Sequence, residues 1–229
     1  MSEYIIINVL NSLLILTSLA IILVKSPRRA VYLYGVQALV LVAILATLAY
    51  ATGAEGLYTW SVTAFITKVI LVPVIILFAL KKIASLKTDE TKGDVPSVLP
   101  RKARQRERPL LSLLVVVIVV VCFWVVSGIT LPTALEVKPA LAVSLALFFI
   151  GITCIISQRS IIKQIFGFCL MENGSHISLA LLAPEAPMLV EIGVATDAVL
   201  VVVVMAVIAM RVYRQLGTLD SDEITELKG

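Results

Sequence analysis

Charge is scarce in this sequence, and so are the side chains that most enzymes use for chemistry. Only 15% of the 229 residues are Asp, Glu, Lys or Arg, where a soluble domain carries about 25%. A folded globule of this length has too much surface to cover with so few charges, so a soluble domain is excluded, and a disordered chain with it. The sequence has one histidine, which cannot supply both ligands of a haem pair, and three cysteines. Cys122, Cys154 and Cys169 fall in apolar segments at unrelated spacing, without a C-x-x-C pair or a disulfide framework. Gly-rich phosphate loops, H-E-x-x-H and nucleophile elbows are missing as well. The formal net charge of +4 gives no reason to expect nucleic acid as a partner, because membrane proteins collect Lys and Arg in their cytoplasmic loops anyway.

What the chain does have is apolar residues, 60% of the total. At roughly 20 residues per spanning helix, a chain of this length crosses a bilayer about six to eight times. Seven stretches are long enough: Ile5–Val24, Ala30–Ala51, Tyr58–Leu80, Leu110–Ser127, Ala140–Ile156, Lys163–Ala183 and Glu191–Val212. Lipid leaves the backbone no outside hydrogen-bond partner, and no dyad alternation points to a barrel, so all seven are expected to be helices. The valine-rich run in the fourth would suit a strand in water, but its length decides for a helix. The start, Met1-Ser2-Glu3-Tyr4, has neither a basic region nor a cleavage site, so the first helix is expected to be retained.

Basic residues fix the expected orientation. Lys25, Arg28 and Arg29 follow the first stretch, nine Lys and Arg crowd 81–108, Arg159 follows the fifth, and Arg211 and Arg214 end the seventh. The alternate loops carry one basic residue, Lys138. Seven helices put every basic loop on the cytoplasmic side, with the N-terminus outside and the C-terminus cytoplasmic. The mixed-charge, proline-containing segment 81–109 reads as a solvated linker, able to meet anionic lipid headgroups, and the tail from Gly217 as polar and mildly acidic. Helices one to three also resemble helices five to seven: 27–37 lies over 159–169, and 65–72 over 194–201. The single extra crossing between them gives both triplets the same orientation, as a parallel repeat requires.

A few ionisable residues fall where charge is unfavourable. Lys68 lies near the middle of helix three, Glu172 near the middle of helix six and Asp197 inside helix seven, with Glu191 at its outer mouth. His176 follows Glu172 by four residues and Cys169 precedes it by three, so the three share a helix face. An ionisable group inside a bilayer costs from about 2.5 kcal/mol upward, and usually has a partner or a function. In one reading Lys68 pairs with Glu172 or Asp197 and the cluster only fixes helix packing. In the other, carboxylates beside a lysine or histidine pass protons along a hydrated line.

The stretches 156–159 and 164–176, with 190–198, 64–69 and the ending Leu227-Lys228-Gly229, closely resemble hydrogenase-4 component E. That family belongs to the membrane arms of formate hydrogenlyase-type group 4 [NiFe]-hydrogenases. It is related to the three-helix NuoK-type subunit of complex I and to a subunit of multisubunit sodium/proton antiporters. The resemblance implies an all-α integral membrane protein of seven transmembrane helices. It would comprise a first three-helix unit (1–84), a basic linker (85–109), a linking helix (110–128), a better-matched NuoK-like unit (140–215) and a polar tail (216–229).

The family's second-helix glutamate falls on Cys169, with Glu172 one turn later, and its third-helix glutamate on Asp197. The first triplet holds Gln37 and Lys68 there instead. The resemblance further implies a non-catalytic subunit of the bacterial or archaeal cytoplasmic membrane. Nickel–iron and iron–sulfur centres would then sit in partners: antiporter-like subunits, a membrane anchor and the hydrogenase peripheral arm. Glu172, Asp197, Lys68, His176 and Glu191 are the expected proton-transfer residues. The alternatives are a scaffold, in which bulky residues at Gly35 or Gly167 would disrupt packing, and an antiporter subunit without a hydrogenase.

Overall fold

The computed structural model describes residues 2–90, 103–129, 138–186 and 188–219. They form α1 (Ser2–Leu23), α2 (Pro27–Thr52), α3 (Glu55–Ala64), a π-helical segment (Phe65–Leu71) and α4 (Val72–Glu90). Then come α5 (Ala103–Gly128), α6 (Lys138–Ser157), α7 (Ile161–Leu182) and α8 (Met188–Leu216). Seven helices are long and apolar enough to cross a membrane, with α3, the π segment and α4 acting as one span, Glu55–Leu86. The chain is thus a multi-pass membrane protein, all-helical among the described residues. Of the expected linker, 91–102 lies outside those residues, as does 220–229 of the expected tail. What is described of the linker is helical: 85–90, which holds no glycine or proline, continues α4, and 103–109 begins α5.

The breaks between spans follow from local chemistry. Ser26 is extended (φ −88°, ψ 121°) and Pro27 opens α2, where its missing N–H would have been unpaired anyway. Gly53 ends α2 in the left-handed region (φ 70°), its N–H bonded to the Ala49 carbonyl, a conformation that favours glycine.

Burial separates the centre of the bundle from its rim. The most apolar window of α7 is 67% buried, that of α5 17%. Thus α7 is the hub and α5 a peripheral helix laid against α6. The α6–α7 contact is the most extensive among the described residues. A Cβ on Gly174 would come 2.5 Å from the Phe148 nitrogen, and one on Gly151 would fall on the backbone of Met171. Small residues let helix backbones approach where lipid offers no hydrophobic drive for association. Ser144 and Ser178 add a hydroxyl–hydroxyl bond of 2.8 Å across the same contact. Gly167 belongs to it too, with Ile155 2.9 Å from its would-be Cβ, whereas Gly35 has nothing within 4 Å. Of the two glycines singled out for packing, only Gly167 is so placed. At the basic end of the bundle, Lys163 of α7 donates to the Ile22 carbonyl of α1 at 2.9 Å.

Candidate functional site

Lys68 sits at the centre of the π segment and is completely buried. A π turn spaces the backbone more widely than an α turn and is common at functional positions. Here it carries a lysine into the interior of the bundle, towards α7. The Lys68 Nζ lies 2.7 Å from Glu172 Oε1 and donates to Asn173 Oδ1 at 3.0 Å. Of the two carboxylates the sequence offers Lys68, the structure selects Glu172. Removing both charges from water carries a desolvation penalty of several kcal/mol per ion, offset only by close geometry and additional hydrogen bonds. Asn173 supplies one of those bonds. A carboxylate touching an ammonium group also gives one proton two sites, so the pair can change protonation state without a net charge appearing in the bundle.

The groups around the pair form a column along α7. One turn towards the end opposite the basic loops, buried His176 faces Trp60 of α3, ring centroids 5.4 Å apart and planes tilted by 54°. One turn the other way, Cys169 adjoins the Tyr34 hydroxyl, which also interacts with Asn173. Tyr34 packs its ring 6.3 Å from that of Phe166. On α2, Gln37 Nε2 donates to Ser18 Oγ of α1 at 2.8 Å.

Several buried polar atoms here find no hydrogen-bond partner among the described residues: both ring nitrogens of His176, Asn173 Nδ2, Gln37 Oε1 and Asn11 Oδ1. Buried polar atoms of this kind are ordinarily satisfied by ordered water.

Glu172, Lys68 and His176 are therefore gathered into one cluster. Asp197 is not: it lies on the exposed side of α8, away from the buried residues Ala195, Ala198 and Val202 that pack that helix on the bundle. The Glu191 side chain lies outside the described residues. Tyr34, Trp60 and Ser18 were not marked out by the sequence. Tyr34 precedes Gln37 by three residues and so shares its helix face, the one available signal; an aromatic residue in an apolar helix is otherwise unremarkable. Among the described residues no group of three or more His, Cys, Asp and Glu side chains is placed to hold a metal ion.

Comparison with known proteins adds three findings. A family model described as NADH-ubiquinone/plastoquinone oxidoreductase chain 4L matches residues 139–229. The chain is 48% identical over 229 residues, the full length of both proteins, to hydrogenase-4 component E of Escherichia coli K12 and to that of Shigella flexneri. It is 28% identical over 89 residues, 39% of its own length and 40% of the other's, to an uncharacterized protein of Mycobacterium tuberculosis. No solved structure matches.

Proposed function

Because the chain belongs to the hydrogenase-4 component E family, we propose that it is a non-redox membrane-arm subunit through which protons move while partner subunits carry the electrons. The observation that supports this most is the Lys68–Glu172 pair, buried, in contact and bordered by polar atoms of the kind that water ordinarily satisfies. In this reading the Lys68 ammonium holds the Glu172 carboxylate ionised and passes it a proton, leaving a neutral pair; Glu172 then releases its proton onward while the Lys68 amine takes up another. His176 sits on the next turn as an acceptor under the Trp60 ring. Asp197 and Glu191, on α8, continue the path towards neighbouring subunits. Electron transfer in the partners would bias the protonation of the pair through its charge.

We read helices α1–α4 and α6–α8 as two three-helix units of the complex I type, with α5 as the added crossing. Lys68 then comes from one unit and Glu172 from the other, and the basic end faces the cytoplasm of a bacterial or archaeal cell. Nickel–iron and iron–sulfur centres are assigned to partners, because Cys122, Cys154 and Cys169 do not converge with other ligands.

The test is Glu172→Gln in the intact complex, with hydrogen turnover and proton translocation measured separately. Loss of a positioned proton carrier lowers transfer by about a hundredfold or more, so translocation is expected to vanish while hydrogen turnover in detergent persists. An assembled variant that translocates protons at the unmodified rate sinks the proposal. A scaffold reading, favoured by the wide exposed faces of α5 and α8, predicts that unmodified rate.

A further inference from the structure

We propose that the exposed face of α8 centred on Asp197 docks a transmembrane helix of another subunit, and that this helix presents a Lys, Arg or His side chain at the depth of Asp197. The inference rests on the reading above in one respect, that the chain works within a complex.

α8 has two faces. Ala195, Ala198, Val202, Ala206 and Ala209 are buried against the bundle, where α8 packs chiefly on α4. Gly193, Asp197, Leu200 and Val204 form the opposite row and are exposed. No charged residue falls between Glu191 and Asp197, so Asp197 lies six residues, about 9 Å at 1.5 Å per residue, past the charge that opens the apolar stretch. A long lysine can reach back to the interface over such a distance, but an aspartate, with one methylene, cannot. Asp197 makes no ion pair or side-chain hydrogen bond among the described residues. Its polar neighbour on the face is no donor, since the Thr196 hydroxyl is committed to the Ile192 carbonyl at 2.6 Å.

Hydrocarbon tails offer no donor at all. A second copy of this chain, related by a two-fold axis through the same face, would bring one Asp197 towards the other, like charge against like. A helix from a different subunit with a cationic nitrogen at that level satisfies the carboxylate. The open space around Gly193, where an added Cβ would meet nothing within 4 Å, lets such a helix come close.

The experiment places a photoreactive amino acid at Leu200 in the complete complex, in its native membrane, with Val202 as the control facing the bundle. The expected result is a cross-link from 200 to a helix of a different subunit, within one turn of a Lys, Arg or His, and none from 202. Asp197→Leu is expected to weaken that cross-link about tenfold, or more where the ion pair is fully desolvated. Adducts to lipid alone, to another copy of this chain, or to a helix without a cationic residue at that level overturn the proposal, as does a cross-link indifferent to Asp197→Leu. Should Asp197→Leu fail to accumulate, the cross-link map from the otherwise unmodified chain decides by itself. Normal proton translocation by Glu172→Gln with the cross-link intact would remove the proton path and leave the docking surface standing; the converse pattern would do the reverse.

Discussion

Lys68→Met is expected to destabilise the protein by about 3–5 kcal/mol, because it strips the partner from a charge that stays buried. Glu172 is 9% exposed, so without the ammonium group its carboxyl must either take up a proton or remain an uncompensated anion inside the bundle. Asn173 loses its donor in the same step. The companion Lys68→Met/Glu172→Gln removes both charges and is expected to recover most of the loss, since exchanging a whole buried pair for uncharged groups of similar volume is often close to neutral. The measurement is thermal denaturation of the purified protein in detergent for the two single variants and the double. A coupling energy below about 0.5 kcal/mol in that cycle would show that the pair does not act as a unit. The double variant also separates packing from transport. It is expected to assemble and to be inactive in proton translocation, a combination a purely structural pair does not produce.

Gly174→Leu is expected to have the second large effect, and by a different route. The would-be Cβ at 174 lies 2.5 Å from a backbone nitrogen and 2.6 Å from a backbone oxygen of α6. No flexible side chain is there to move aside, so α6 and α7 must separate. Overpacking usually costs about 1–3 kcal/mol, and more where backbones have to shift. Separation also stretches the Ser144–Ser178 bond and withdraws Glu172 from Lys68, since Glu172 lies only half a turn from Gly174 on α7. The expected outcome is poor accumulation in the membrane and a Tm lowered by roughly 5 °C or more. Gly35→Leu, with open space around position 35, is the matched control and is expected to fold normally. Equal behaviour of the two variants would show that α6–α7 contact is not what holds the hub together.

The seven spans were legible because lipid imposes one demand, internally paired backbone over a membrane's thickness, and hydropathy records it directly. Ends were less so. Pro27 and Glu55 start their helices three residues before the apolar stretches do, because the bilayer sets where a segment must be greasy rather than where it ceases to be helical. The partners of Lys68 were only half legible. The sequence showed that a buried lysine needs a carboxylate, but selecting Glu172 over Asp197 depended on how α7 and α8 rotate about their axes. All-round hydrophobic helices encode that rotation weakly. The π segment left no trace in the sequence, since Phe65-Ile66-Thr67-Lys68-Val69-Ile70-Leu71 reads as ordinary apolar helix. The contribution of Trp60 and Tyr34 was hidden for a related reason: an aromatic ring suits lipid and core equally well, so only the neighbours it meets reveal which it serves.

The distance along the chain between the two halves of the ion pair has a consequence for biosynthesis. Lys68 precedes its hydrogen-bond partner Asn173 by 105 residues, with Glu172 immediately before it. At roughly 5–20 residues per second, the third span leaves the ribosome roughly 5–20 s before α7 does. Throughout that interval Glu172, the counter-charge that the folded chain gives this lysine, has not yet been made. Either it enters the bilayer unprotonated, or its span waits beside the insertion machinery until α7 arrives. In both cases the lysine gains its ion-pair partner only when α7 arrives, so the hub of the bundle closes late in synthesis.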